Sequence, residues 1–220
     1  RLHAHGKVVE QHKVYYSIGL VGTYRLHVGL RQQQMPLPGS PFKLVVVAGA
    51  AHASSTVVPD HVTYPILGTV GIEDEKGCTL LLPVRDRMGN VCHKGGAKVA
   101  CSCSLAHVEA ASQDVGNGTY KLIWRSERSG TFEVHVTIDG EQIESSPFNI
   151  KLMCDTPDLS KTDARGDGLR EITAGGTGRI ELQLHDKFMN IAVAGPSVVF
   201  GLTIVHQKEN KARDKEEVKK

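Results

Sequence analysis

Short runs in which every second residue is apolar fill this chain and constrain its fold more than any other feature. Such a run predicts a β-strand with one buried face, because successive side chains of a strand point to opposite sides. Turn-forming residues separate the runs, at Gly89-Asn90, at 116–118 and at Asp139-Gly140. Many short strands at this spacing predict an all-β sandwich or barrel. The runs are 14–18, 24–28, 42–46, 80–84, 99–103, 120–124, 132–136, 148–152 and 180–184.

The sequence also matches itself at a period close to the length of one immunoglobulin-like sandwich. Residues 14–28 align with 122–136, and a few residues later 39–44 align with 145–150, two residues out of step. One intervening turn therefore differs in length. A second alignment sets residues 80–99 against 180–199. The matched pairs are Tyr16 and Trp124, Gly22 and Gly130, Tyr24 and Phe132, Asp86 and Asp186, and Asn90 and Asn190.

Composition excludes several classes of protein. The 220 residues are 40% hydrophobic and 23% charged, which is typical of a folded chain rather than a disordered one. A net charge of +2 creates no strong field for nucleic acid or an anionic membrane. The longest apolar stretch, 44–51, is much shorter than the ~20 residues of a membrane-spanning helix. The chain begins in mid-pattern without Met, so we expect it to be a piece of a longer protein.

The five cysteines favour buried thiols over a disulfide framework. Cys101 and Cys103 are separated by one residue, so on a strand they point the same way. Structural zinc sites prefer two residues between paired ligands. The pattern weakly favours a reducing compartment.

Residues that invite a catalytic or binding interpretation have simpler explanations. Arg165-Gly166-Asp167 spells the integrin tripeptide, but three-residue strings arise by chance. His3 and His5 could share a strand face, yet no third metal ligand accompanies them. The acidic residues at 73–75 fit a solvated turn. Because no nucleotide-binding, nucleophile-elbow or metalloprotease motif is present, we predict neither enzymatic activity nor a cofactor nor a metal site.

Five motifs, in this order, carry a resemblance to a known family. They are the turn 86–90, the pair Gly95-Gly96, the segment 114–120, the strand 130–136 and Ser146-Pro147-Phe148. Their order and spacing resemble the filamin-type immunoglobulin-like repeat. The resemblance implies tandem antiparallel β-sandwiches.

The resemblance divides the chain into one complete repeat and two partial ones. Residues 52–153 match a complete repeat, 1–50 the back part of a preceding one, and 155–206 the front part of a following one. Residues 207–220 form a charged tail or linker that departs from the pattern. Residues predicted to be buried in a seven-strand antiparallel sandwich are Leu80, Leu82, Val84, Val99, Cys101, Trp124, Phe132, Val134 and Phe148.

The two partial repeats cannot cover their own cores, so we do not expect either to fold in isolation. They are completed either by further chain of a longer protein, which we favour, or by each other. Contacts of Tyr24 or Phe42 with Leu182 or Val199 would indicate that the two halves join.

For function, the resemblance implies a structural spacer and protein-docking module of a cytoplasmic cytoskeletal assembly, of actin or of a cilium or axoneme. Partners would bind by strand addition or by repeat packing. No calponin-homology pair is evident, so actin binding would have to come from elsewhere. One alternative is an extracellular, gamete-type adhesion protein, which a signal peptide or paired cysteines would favour. Another is the repeat region of a ubiquitin ligase, which the tandem arrangement disfavours.

In this family, partners commonly add a strand beside the third strand of a repeat, which here is 97–104. If Val99, Cys101 and Cys103 point inward, the outward side chains are those of Lys98, Ala100, Ser102 and Ser104. Three of these four are small, which lets a partner backbone approach closely. On this hypothesis Ala100→Glu or Ser102→Pro abolishes binding and leaves the fold intact, the proline by removing one donor from the open edge. The alternative is an idle edge, protected by Lys98, in a repeat that serves only as a spacer.

Overall fold

The computed structural model describes residues 13–30, 35–195 and 198–205. His3, His5 and the whole of the predicted tail, 207–220, therefore lie outside the described residues. Within them the chain is built from β-strands and three single-turn 3₁₀ helices, and they contain no α-helix. The 3₁₀ turns are Ala53–Ser55, Leu159–Lys161 and Asp167–Leu169.

The strands fall into a central set of eight and two flanking groups. Before the centre lie β1 (Gly22–Leu26), β2 (Gly29–Leu30), β3 (Met35–Pro36) and β4 (Phe42–Val46). The central set is β5 (Ile66–Thr69), β6 (Cys78–Pro83), β7 (Val99–Cys103), β8 (Glu109–Asp114), β9 (Thr119–Arg125), β10 (Gly130–Ile138), β11 (Glu141–Gln142) and β12 (Phe148–Met153). After the centre lie β13 (Asp163–Arg165) and β14 (Glu181–Gln183).

The central strands form two sheets, which confirms the predicted sandwich. One sheet has three strands in the order β6-β9-β8. In the other, β10 is flanked by β7 on one side and by β11 and β12 on the other. The outermost strand, β5, runs parallel to β12. The predicted antiparallel sandwich therefore contains one parallel pair. Gly68 lets β5 pass close to the other sheet, because a Cβ there would overlap the carbonyl of Gly77.

Trp124 forms the centre of the core. Its side chain is fully buried on β9, and its ring meets Phe148 of the facing sheet edge-on, with centroids 5.8 Å apart. The other predicted core residues are buried as well, except Cys101. Cys101 is half-buried, because β7 is an edge strand with one open side.

The predicted turns adopt the backbone conformations that their residues favour. Asp139 and Gly140 have φ values of +51° and +88° between β10 and β11, the two positive φ angles of a type I′ hairpin turn. Gly118 has φ +79°, and a Cβ there would overlap the carbonyl of Cys92. No side chain fits at that position without moving the neighbouring loop.

All five cysteines are free thiols, in agreement with the sequence prediction. Cys78 and Cys92 are buried, and the other three are half-buried. Burial raises the pKa of Cys78 and of Cys101 to about 11. Both thiols are therefore uncharged and unreactive at neutral pH.

The first flanking group preserves details of the central repeat. β1 pairs antiparallel with β4, as β10 pairs with β12. The Ser40 hydroxyl accepts a hydrogen bond from the Val28 N–H at 3.0 Å, and Ser146 accepts one from Val136 at the same distance. The predicted strand 14–18, however, is not a strand. Its counterpart β9 is held between β6 and β8, and the described part of this group has no equivalents of those two strands.

The two flanking groups do not pair with each other in the described residues. β1 with β4, and β13 with β14, form separate two-stranded sheets. Apolar residues that would face a sandwich interior stay exposed, as Val199 does at 88%. The division of the chain at residues 50, 52, 153 and 155 stays a prediction.

The buried carboxylate of Asp86 organises the turn after β6. It accepts hydrogen bonds from the side-chain amide of Asn90 and from the backbone N–H groups of Gly49, Met88 and Asn90. The Asn90 amide, and then the Gly49 N–H, lower the pKa of Asp86 to about 2.

We therefore expect acid to weaken this turn. A carboxyl whose pKa is about 2 when folded and ~3.9 when unfolded stabilises the fold fully above pH ~4, and loses that effect as the pH falls towards 2. The urea midpoint of the chain, followed by Trp124 fluorescence, should fall over this range. Asp86→Asn should have a lower midpoint at pH 6 and a shallower dependence between pH 4 and 2. An unchanged slope would show that Asp86 does not contribute.

Candidate protein-docking edge

The predicted docking residues lie along β7 and the residues on either side of it. Lys98, Ala100, Ser102 and Ser104 are all exposed, Val99 is buried, and Cys101 and Cys103 are half-buried. The alternation predicted from the sequence is therefore present. Three of the four exposed side chains are small, so the outer surface of β7 has little relief apart from Lys98.

The backbone of β7 has one side in the sheet and one side open. The Asp139 N–H donates to the Lys98 carbonyl at 3.0 Å, and the hydroxyl of Ser112 donates to the Val99 carbonyl from the opposite side. Because hydrogen-bonding direction alternates along an antiparallel pair, the backbone groups of Ser102 face β10. Those of Cys101 and Cys103 face the open side.

The direction of these backbone hydrogen bonds corrects the predicted effect of Ser102→Pro. We expected Ser102→Pro to remove a donor from the open edge. The Ser102 N–H belongs instead to the ladder with β10, so proline there would disturb the sheet. The corresponding open-edge donor is the N–H of Cys103.

The open side of β7 lies next to β8 of the other sheet. The Cys101 thiol donates to the Ala111 carbonyl at 3.2 Å, and Ser112 covers the Val99 carbonyl. Among the described strands, β7 pairs only with β10. The segment from Cys101 to Cys103 is therefore the part of this edge that an added strand could reach.

A cavity of about 650 Å³ lies at the start of β7. Residues 45–51, at the end of the first flanking group, and residues 92–98, before β7, line most of it. Sequence reasoning did not find this cavity. The one sequence feature that points to it is Gly95-Gly96, because two glycines leave that part of the cavity lining without side chains.

Other residues that attracted attention in the sequence have structural roles. The Asp167 carboxylate accepts hydrogen bonds from the N–H groups of Gly168 and Arg179, so the tripeptide at 165–167 forms part of a turn. Glu73 forms an ion pair with Lys187 at 2.8 Å, and Asp74 forms one with Arg125 at 3.2 Å.

The described residues have neither a cluster of metal ligands nor a membrane-spanning helix. They contain no group of three or more side chains placed to hold a metal ion. They also contain no helix that is long and apolar enough to cross a membrane.

Comparison with known proteins agrees with this architecture. Residues 51–149 match the family model of the Filamin/ABP280 repeat. Filamin-A of Drosophila melanogaster is 27% identical over 167 residues, which cover 74% of this chain and 7% of that protein. The chain thus spans a small fraction of this relative. The resemblance to the filamin-type repeat is confirmed for residues 51–149.

Solved structures support the fold. The Escherichia coli adhesin FdeC has a TM-score of 0.52 at 16% identity, with 71% of this chain and 48% of that chain covered. Invasin, a bacterial integrin-binding protein, has a TM-score of 0.50 at 21% identity, with 69% and 30% covered. At these identities the likeness extends to the fold alone.

Proposed function

We propose, starting from the filamin-type repeat at residues 51–149, that this chain is a non-enzymatic spacer and protein-docking module of a cytoskeletal assembly. The observation that carries the docking role is the open edge of β7, where small exposed side chains flank unpaired backbone groups. An extended partner segment would add a strand beside Cys101 and Cys103, as in other strand-addition complexes.

The spacer role rests on tandem organisation. We propose that residues 1–50 and 155–206 are parts of neighbouring repeats, that 52–153 is the complete one, and that 207–220 is a charged linker. The alignment with Filamin-A supports this division because it is longer than the single matched repeat. An actin or ciliary assembly is the setting we propose.

A cytoplasmic location agrees best with the five free thiols, because extracellular proteins usually pair their cysteines. The alternative is an extracellular adhesion protein, and the adhesin FdeC and the integrin-binding protein invasin are similar to this chain. That likeness concerns the fold, which the two settings share.

Docking along β7 predicts a specific effect of a charge on its outer surface. Twelve-residue peptides selected from a random display library on the full chain provide the probe. Peptides that bind the β7 edge should lose at least tenfold in affinity for Ala100→Glu, because a long charged side chain obstructs a closely packed backbone. Fluorescence anisotropy with labelled peptides measures the change.

Two further variants make this test specific. Cys103→Pro should also weaken binding, because it removes an open-edge donor. Thr79→Glu, on an exposed position of β6 in the other sheet, should bind as the parent does. The docking role is wrong if every selected peptide binds Ala100→Glu and Cys103→Pro with parental affinity.

A further inference from the structure

Two turns one repeat apart, 86–90 and 186–190, have the same internal hydrogen bonds. In each, one aspartate oxygen accepts from the backbone N–H groups two and four residues later, all at 2.9 Å. The same carboxylate also holds the side-chain amide of the asparagine, at 2.9–3.1 Å. Both aspartates are buried, which fixes the direction in which each asparagine points.

Both asparagines reach out of their own repeat and bind the preceding one. The Asn90 amide nitrogen donates to the Gly19 carbonyl at 2.8 Å, and its oxygen accepts from the Val21 N–H at 3.2 Å. Asn190 makes the same two contacts, with the Glu127 carbonyl and the Ser129 N–H, both at 2.8 Å.

The contacted residues are equivalent positions of successive repeats. The alignment that sets Tyr16 against Trp124 sets residue 19 against 127 and residue 21 against 129. In the central repeat, these positions belong to the loop between β9 and β10. Two independent junctions of one chain therefore share a single geometry.

A third contact connects each turn to the chain that leaves the preceding repeat. The second carboxylate oxygen accepts from the Gly49 N–H at 2.9 Å in one junction, and from the Asp155 N–H at 3.0 Å in the other. Residues 49 and 155 are again equivalent, by the alignment that sets residue 40 against 146. Each turn thus holds a loop of its neighbour and the segment of chain that connects the two repeats.

In all of these hydrogen bonds, the group that the turn contacts is a backbone atom. An asparagine amide has two N–H donors and one carbonyl acceptor. While it also donates to the aspartate, it offers a donor and an acceptor that match a carbonyl and the N–H two residues later. The side chains at these positions differ freely, as Gly19 and Glu127 do. The contact can therefore recur between repeats whose sequences have diverged.

We propose that the Asp-x-x-x-Asn turn is a clasp between repeats, an interaction surface whose partner is the backbone of the loop before the sixth strand of the preceding repeat. The clasp fixes the orientation of consecutive repeats and makes the chain a stiff spacer. It is separate from the β7 edge and holds whether or not that edge binds a partner. The second junction has two additional ion pairs, Lys187 with Glu73 and Lys76 with Asp155.

The test measures distance distributions between spin labels in the full chain. Labels on unnatural amino acids at Lys43 and Glu133 report the first junction, and labels at Glu133 and Glu181 report the second; all three positions are exposed. Salt of ~0.5 M screens the exposed ion pair of Lys187 with Glu73. Asn90→Ala should broaden the first distribution about twofold and leave the second unchanged, because relative motion is the default for domains with few contacts.

Asn190→Ala should broaden the second distribution about twofold and leave the first unchanged. The control is Asn117→Ala, whose side chain accepts a bond from Thr119 within its own turn at 3.1 Å. It should leave both distributions unchanged. Trp124 fluorescence reports whether the central repeat stays folded in each variant.

Val21→Pro provides a variant that leaves the turn intact. It removes the N–H that donates to Asn90 and changes nothing inside the central repeat. It should broaden the first distribution as Asn90→Ala does. Unchanged widths in Asn90→Ala, Asn190→Ala and Val21→Pro would overturn the proposal, and so would equal broadening in Asn117→Ala.

Discussion

Replacing Trp124 with alanine is expected to lower the free energy of unfolding of the central repeat by ~3–5 kcal/mol. The ring is fully buried and fills the space between β9 and Phe148. Its removal leaves a cavity that a densely packed core cannot close. Such a loss is a large part of the ~5–15 kcal/mol that stabilises a typical domain. Urea unfolding followed by far-UV circular dichroism measures it, since the chain has no other tryptophan.

Two variants separate packing from hydrogen bonding at this position. The Trp124 indole N–H is buried and has no hydrogen-bond partner among the described residues. Trp124→Phe keeps most of the ring and removes that unsatisfied donor. Burial of such a donor destabilises the fold by ~1–3 kcal/mol. Its cost should therefore be less than half that of Trp124→Ala.

Tyr16 is the matched control, because it occupies the equivalent position and is 60% exposed. Tyr16→Ala should change the unfolding free energy by less than ~0.5 kcal/mol. If Trp124→Ala costs no more than Tyr16→Ala, Trp124 does not support the core.

The alternation of apolar residues predicted most of the strands of the central repeat. It is strong where a strand is central in its sheet and has one face on the core, as in β9, where Tyr120, Leu122 and Trp124 are all buried. In such a strand, every second side chain packs in the core along the whole length of the strand, so the apolar alternation is complete. The turns were predictable for a similar reason, because Asp139-Gly140 strongly favours one hairpin geometry.

Strands β5 and β8 were not predicted, for two different reasons. β8 reads Glu-Ala-Ala-Ser-Gln-Asp and is mostly exposed, so its pairing with β9 leaves no hydrophobic pattern. β5 contains Gly68 at a point where two backbones approach, which weakens its strand signal. Its parallel pairing with β12 depends on the order of strands in space, which no local pattern records.

The candidate site could be predicted in part. The exposed side chains of β7 followed from alternation, but the direction of its backbone hydrogen bonds depends on where β10 pairs. The contacts of Asn90 and Asn190 were beyond sequence reasoning as well. The repeated turn was visible, whereas the loop that it contacts lies 71 residues away from Asn90 in the chain.

Leu82 and Leu182 occupy equivalent positions, and their replacement by alanine should have very different effects. Leu82 is fully buried, so Leu82→Ala should cost ~2–5 kcal/mol. Leu182 is 46% exposed, so its truncation removes little buried area and should cost less than ~1 kcal/mol. Urea unfolding followed by both Trp124 fluorescence and circular dichroism measures the two variants.

The comparison tests whether residues 155–206 are the front part of a repeat whose remaining strands come from outside the described chain. A half-sandwich leaves its inner face uncovered, because the second sheet that would cover it is absent. Under that division, Leu182 contributes little in this chain, whereas Leu82 is enclosed by both sheets of the central repeat. Equal costs for the two substitutions would mean that another segment covers Leu182 in solution, and would contradict the proposed division.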